Sequence, residues 1–176
     1  HHPLEVRRFP DSEGYVRVPH ESIEAIRREP VVLVATTFPD SGIVEALLML
    51  ESIHDVRRGD MSNLKGEGDD NLGDVGPGIF LAVPYFGYSR QDKRFQRGEV
   101  ISAKLLARLL TRRCDGMIVL DLHAPAVLED LEVPVSFVSS MPEIAIHLQR
   151  NVGPDFVLSP DTVSYTHLKL QTILLV

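Results

Sequence analysis

Three short polar clusters in this chain each follow a run of apolar residues, and their side chains are of kinds that bind phosphate and divalent cations. Pro84-Tyr-Phe-Gly-Tyr-Ser-Arg-Gln-Asp-Lys93 follows Ile79–Val83 (IFLAV), Asp121-Leu-His123 follows Met117–Leu120 (MIVL), and Ser159-Pro-Asp161 follows Phe156–Leu158. In the first, Arg90 carries a planar guanidinium that can hold a phosphate through two parallel hydrogen bonds. Gln91 beside it offers an amide able to read a base edge, and Asp92 and Lys93 add one charge of each sign. Asp121 and His123 stand two residues apart, so an extended backbone points both side chains to one face. A carboxylate and an imidazole so placed can bind or orient a metal, although Mg²⁺ prefers oxygen ligands and keeps several waters. An anion-binding loop and two cation sites on one rim suggest a phosphate substrate with a divalent metal. Each cluster has a plainer reading as well: a solvated charged loop at 90–93, a strand-end Asp beside a packed His at 121–123, and a simple turn at Ser159-Pro-Asp161.

The elements that must position these clusters alternate along the chain. Val31–Ala35, Ile79–Val83, Met117–Leu120, Val135–Val138 and Phe156–Leu158 are short apolar runs that read as buried strands. Gly42–Arg58 carries Ile43, Leu47, Leu50 and Ile53 at helical spacing, Ile101–Arg112 carries Ile101, Leu105, Leu106 and Leu109, and Pro142–Arg150 opens with Pro in a first turn. Continuous apolar strands between helices predict an α/β fold with a mostly parallel sheet and helices on both faces. Ligands in such folds bind beyond the carboxyl ends of the strands, which is where the three clusters fall. Asp11-Ser12-Glu13 lies between two short strands and reads as a turn first and a carboxylate pair second. The stretch Gly59–Gly78, with six glycines and five acidic residues against Lys65, reads as a mobile surface insertion.

Composition bounds the function. The chain has 176 residues, with 18 Lys and Arg against 25 Asp and Glu for a net charge of −7, which argues against general adhesion to nucleic acid. No apolar run approaches the roughly 20 residues of a bilayer span, so no membrane partner is expected. A single cysteine, Cys114, excludes an intrachain disulfide framework and fits a reducing, cytoplasmic compartment. It reads as a packed thiol, and His20, His54 and His147 as surface or satisfied histidines. Neither a Walker A motif nor G-x-G-x-x-G is present.

The run FLAVPYFGYSRQDKRFQRGEVISAKLLARLL, followed by DGMIVLDLH, closely resembles ribose-phosphate diphosphokinase (phosphoribosyl diphosphate synthetase). RRFPDSE resembles that family's RFPDGE turn and VLSPD its later strand-end Asp motif, so the resemblance covers Leu4 to Asp161 apart from the acidic insertion. It implies a fold like the type I phosphoribosyltransferases, with two such α/β domains per subunit. It also implies transfer of the β,γ-diphosphate of ATP to O1 of ribose 5-phosphate, with release of AMP and with Mg²⁺ as cofactor. By motif, Arg90, Gln91, Asp92 and Lys93 would hold ATP. Asp11, Ser12 and Glu13 would reach the adenine of ATP on a neighbouring subunit, which implies a homo-oligomer. His123 and Asp121 would lie at a magnesium–ATP site and Asp161 at a second magnesium. Ser12 replaces the usual Gly of the turn, Ala124-Pro125-Ala126 follows Asp-Leu-His where longer polar side chains are common, and Ser136 stands where many members have Asp, leaving Glu132 as the nearby carboxylate. The family's second half, with the catalytic Lys and the ribose 5-phosphate loop, does not follow Asp161, so no catalytic residue is expected in the chain and the chain alone is expected to be inactive. Residues 1–161 are read as an N-terminal domain lacking its first strand and helix. The tail 162–176 (TVSYTHLKLQTILLV) resembles a translated sequencing adapter and is read as non-native. The alternative is a non-catalytic regulatory partner subunit of the same family.

Overall fold

In the computed structural model of the chain, residues 2–59 and 76–152 are described. The strand expected at Phe156–Leu158, Asp161, the tail 162–176 and most of the acidic stretch 59–78 lie outside them. The chain divides into two compact units, His1–Val138 and Ser139–Val176.

The first unit is built on four parallel strands, β3 (Val31–Val34), β4 (Ile79–Val83), β5 (Gly116–Leu120) and β6 (Val135–Val138), which lie side by side in chain order. Val31 pairs with Ile79, Phe80 with Gly116 and Met117 with Val135. Helix α2 (Asp40–Arg58) joins β3 to β4 and helix α3 (Ser102–Thr111) joins β4 to β5. Right-handed crossovers between strands in this order put both helices on one face of the sheet. That face is the core: Leu33, Ile79, Leu81, Val83, Met117 and Val119 are buried against Leu50, Ile53, Leu106 and Leu110. On the opposite face Val32 and Val34 are 56% and 65% exposed. A hairpin of β1 (Glu5–Arg8) and β2 (Gly14–Arg17) packs on α2, as does the short helix α1 (Ile23–Arg28). The second unit contains helix α4 (Met141–Asn151), with Pro142 in its first turn.

The strand and helix assignments at residues 31–58, 79–83, 101–120 and 135–150 follow the sequence expectation to within two residues at each end. The face of α3 does not. Leu105 and Leu109 are 52% and 38% exposed, whereas Ala103, Leu106, Ala107 and Leu110 are buried. The buried face therefore carries two alanines with Leu106 and Leu110, and Leu105 and Leu109 lie toward its outer side. Helix α1 and the 3₁₀ turn at Pro125–Leu128 were not expected; both are too short to show a period. Helix α2 ends at Gly59 with φ 71°, the left-handed conformation that glycine adopts without a Cβ penalty, and its amide caps the carbonyls of Asp55 and Val56.

Arg57 is only 5% exposed. Its guanidinium donates to three backbone carbonyls: Ile26 at 3.1 Å, Glu29 at 3.0 Å, and Pro77. It therefore ties the end of α1 and the segment entering β4 to the last turn of α2. Arg57→Met fills similar volume but leaves those carbonyls without this donor, and should lower unfolding free energy by about 2–4 kcal/mol. Urea denaturation of both proteins checks the value.

The β1–β2 turn holds Ser12 at φ 75°, a left-handed conformation for a non-glycine residue. Its amide donates to the Phe9 carbonyl, and the Glu13 amide donates to the Asp11 carboxylate at 3.1 Å. Because Ser12 is exposed, restoring glycine removes the Cβ penalty without opening a cavity. Ser12→Gly should raise stability by about 1 kcal/mol, read as an increase in the urea midpoint at unchanged slope.

Cys114 is buried, and burial pushes its thiol up to about 11 from 9.0. The unfolded chain then loses its thiol proton first, so the Cys114 contribution to stability should be fully present below pH 9 and fall as pH rises from about 9 to about 11. Urea midpoints across that range should show the fall in the natural chain and a smaller one in Cys114→Ala.

Candidate functional site

Because β3, β4 and β5 run parallel and adjacent, the loops that follow them leave the same edge of the sheet. These are Ala35–Pro39, Pro84–Ile101 and Asp121–Ala124. The sequence places three polar clusters on this rim; the topology brings the first two there, and the third, Ser159-Pro-Asp161, lies outside the described residues. The sequence singles out no residue in Ala35–Pro39, although the rule that points beyond strand ends applies equally to that loop.

The buried Thr37, 1% exposed, links the first two loops. Its hydroxyl donates to the Tyr85 carbonyl at 3.2 Å and accepts the Gly87 amide at 2.6 Å, while its own amide also donates to Tyr85 at 3.2 Å. Gly87 is buried, and a Cβ there would sit 2.4 Å from the Thr37 carbonyl oxygen, so only glycine permits this approach. The rings of Phe38 and Tyr85 meet edge to face at 5.7 Å. Tyr88 has φ 62°, and its hydroxyl donates to Asp40 at 2.8 Å, which holds the phenol above its ordinary value.

Beyond Tyr88 the loop is tied to α3. The Gln91 amide donates to the Tyr88 carbonyl at 2.9 Å, and the Ser102 hydroxyl donates to Gln91 Oε1 at 2.6 Å. Gln91 thus accepts one bond on its side-chain oxygen within the loop, which leaves that oxygen's second lone pair and the NH₂ for other partners. The amide that the sequence marks as able to read a base edge is oriented by Ser102, with its NH₂ without a partner among the described residues. Asp92 is half-buried. The Lys93 ammonium lies 5.3 Å from the centre of the Phe95 ring. Glu99 organises the next turn by accepting the amides of Phe95 and Gln96 at 2.7 and 3.0 Å, and its carbonyl accepts Arg94 Nε at 2.8 Å. Arg90 is exposed, and among the described residues its side chain has no hydrogen-bond or ion-pair partner. A guanidinium held on a pinned loop and left unpaired is free to take an anion.

At the tip of β5 the backbone is not extended. Asp121 has φ 46°, its amide donates to the Val138 carbonyl at 2.9 Å, and the chain bends at both Asp121 and His123. The argument that a two-residue spacing aligns the two side chains therefore fails here, since it requires strand geometry. Both residues are exposed at the rim. Among the described residues no three His, Cys, Asp or Glu side chains gather as a metal cage. One carboxylate with an imidazole nearby suits Mg²⁺ that arrives with phosphate oxygens and its own waters. Asp161 lies outside the described residues.

The Asp11-Ser12-Glu13 turn sits elsewhere. Its hairpin docks on α2 through Arg8, which pairs with Glu45, and Gly14, which abuts Leu48 and Glu45. Arg7 stacks 4.0 Å over the Tyr15 ring, and Phe9 meets Tyr15 edge to face at 5.7 Å. The turn is thus presented from the first half of α2, on a hairpin separate from the loops that follow β3, β4 and β5.

Comparison with known proteins follows the same lines. Residues 77–113, which comprise β4, the Pro84–Ile101 loop and α3, match the family model of the N-terminal domain of ribose phosphate pyrophosphokinase. The chain is 36% identical over 169 residues to the ribose-phosphate pyrophosphokinase of Methanothermobacter thermautotrophicus, covering 95% of this chain and 51% of that protein. It is 34% identical to that of Sulfurisphaera tokodaii, covering 90% of this chain and 48% of the relative. The fold is similar to the crystal structure of phosphoribosylpyrophosphate synthetase from Mycobacterium smegmatis, with TM-score 0.62 and 20% identity over 85% of this chain and 44% of that one. The chain spans about half the length of the curated relatives it matches. The chain is thus similar along most of its length to about half of these ribose-phosphate pyrophosphokinases, and residues 77–113 match the model of that family's N-terminal domain.

Proposed function

We propose that the chain is the N-terminal half of a ribose-phosphate pyrophosphokinase, an enzyme that moves the β,γ-diphosphate of ATP onto ribose 5-phosphate and releases AMP. The observation that carries the reading is a coincidence of position. The segment matching the family model, 77–113, is also the segment that sets an unpaired arginine on a pinned loop at the strand-tip rim. In this reading Arg90 takes triphosphate oxygens, the Gln91 NH₂ donates to the nucleotide, and Asp92 and Lys93 complete the loop. Diphosphoryl transfer needs in-line positioning and neutralised oxygens more than covalent help, so a cationic loop with Mg²⁺ supplies what the reaction needs. Asp121 and His123 would hold Mg²⁺ on the phosphates, where it supplies charge neutralisation, and Asp161 would serve a second Mg²⁺. Asp11, Ser12 and Glu13, exposed on a hairpin of their own, would contact the adenine of ATP on a neighbouring copy, so the working form is a homo-oligomer. No residue of this chain is assigned as catalytic, and the half-chain alone should not turn over. Among the described residues no helix is long and apolar enough to cross a membrane, which accords with a cytoplasmic setting.

Isothermal titration of the chain with magnesium–ATP should show binding. Arg90→Ala should weaken it at least tenfold, the worth of one lost charge-assisted contact at about 1.5–3 kcal/mol, with no change in the urea midpoint because the side chain is exposed. Equal affinity in the variant, or AMP release by the chain alone with ATP and ribose 5-phosphate, would overturn the assignment.

A further inference from the structure

A hydroxyl buried between two loops raises the question of what it positions. Thr37 is the only contact point at which β3's following loop uses a side chain to hold both ends of the Tyr85–Gly87 segment among the described residues: it donates to one carbonyl and accepts one amide, 3.2 and 2.6 Å away. Downstream, three contacts carry the constraint on. Tyr88 is fixed by Asp40 at 2.8 Å, Gln91 N–H by the Tyr88 carbonyl at 2.9 Å, and the Gln91 side chain by Ser102 at 2.6 Å. Arg90 lies inside this series, two residues past Tyr88 and directly before Gln91, and among the described residues its side chain has no anchor of its own. Its place is therefore set by backbone that Thr37 holds at one end and Ser102 at the other.

We propose that Thr37 is a positioning residue for Arg90: its hydroxyl fixes the Tyr85–Gly87 backbone and thereby sets where the guanidinium meets an anion. The inference rests on the reading of the rim as a triphosphate site and adds to it a residue that touches no ligand. The chemistry favours a specific function for the hydroxyl. A valine would fill the same space, so packing alone does not require threonine, but valine would leave the buried Gly87 amide without its acceptor. Misplacing a binding group by even a fraction of an ångström is enough to lose affinity when the geometry is bidentate.

The test uses the whole chain with Thr37→Val and Thr37→Ser. In the free proteins, amide hydrogen exchange should quicken at Gly87 in Thr37→Val and, if the constraint propagates, at Gln91 as well. A purely local role would quicken Gly87 alone and would overturn the proposal. Titrated with magnesium–ATP, Thr37→Val should bind on the order of tenfold more weakly, while Thr37→Ser should recover most of the affinity. In an Arg90→Lys background, whose weaker binding remains measurable, Thr37→Val should cost much less, because the two residues act through one contact. Full additivity of the two substitutions, or unchanged affinity in Thr37→Val beside clear binding by the natural chain, overturns the positioning role and leaves the triphosphate reading standing. No binding by the natural chain removes the reading and the inference together.

Discussion

Backbone pairing of β3, β4, β5 and β6, parallel and in chain order, decides where polar groups can gather in this molecule. Each strand delivers its following residues to the same edge, and each crossover returns the chain to the opposite edge before the next strand begins. The loops at that edge arrive close together although Thr37 and Gly87 are fifty residues apart in sequence. Adjacent strands lie about 4.8 Å apart, so neighbouring loops are within hydrogen-bonding reach from the outset. What remains is to fix their shape. Here a buried threonine hydroxyl, a glycine that admits a carbonyl, and a tyrosine–aspartate bond do so.

The cost of that shape is visible in the backbone. Among the described residues, the non-glycine residues with positive φ are Ser12, Tyr88 and Asp121. Each falls in one of the loops that the sequence marks as chemically interesting. Such conformations cost on the order of 1–3 kcal/mol and persist where surrounding contacts over-determine them. Tyr88 has its bond to Asp40, Asp121 its amide bond to Val138, and Ser12 its amide bond to Phe9. Strain at a turn tip of no consequence would be relieved by glycine. That it stands at three such loops, beside residues whose chemistry suits an anion and a cation, agrees with a role in presenting side chains.

The sequence shows plainly what depends on local composition and poorly what depends on close approach. Ile79–Val83 and Val135–Val138 match expectation to the residue, because an uninterrupted apolar run between polar neighbours leaves a buried strand little room to shift. At α3 periodicity weighs Leu105 and Leu109 above Ala103 and Ala107, whereas the folded chain buries the two alanines and leaves both leucines partly exposed, because small side chains carry little hydrophobic signal in sequence. Arg57 looks from sequence like one of two basic residues in a helix's last turn; its burial among three carbonyls is a tertiary fact. Thr37 is inconspicuous in sequence for the same reason. A threonine after a strand signals a loop, and nothing local announces a partner fifty positions away. At Asp121 the error ran the other way: a two-residue spacing suggests a shared face only while the backbone stays extended, and φ 46° ends that.

Charge distribution gives the rim its direction. The chain as a whole is acidic, at −7, and most of its structured guanidinium groups are already committed. Arg8 pairs with Glu45, Arg17 with Glu5, Arg28 with Glu24, Arg58 with Glu51 and Asp55, and Arg113 with Glu51. Lys104, one turn into α3, is held by Asp130, whose carboxyl it keeps below the usual range. A cation already bound to a carboxylate must give that contact up before it can take a phosphate, and the exchange gains little in water. Arg90 has no such bond to break, and the loop beneath it is ordered by groups other than its own side chain. Pre-ordering the backbone while leaving the guanidinium uncommitted lowers the entropy cost of binding without setting a competing acceptor against the ligand. Among the described residues Arg97, Arg108, Arg112 and Arg150 are likewise without a hydrogen-bond or ion-pair partner; what marks Arg90 is that its backbone lies between residues tied by Thr37, Asp40 and Ser102, so neutral hydrogen bonds give position and an unpaired charge gives attraction.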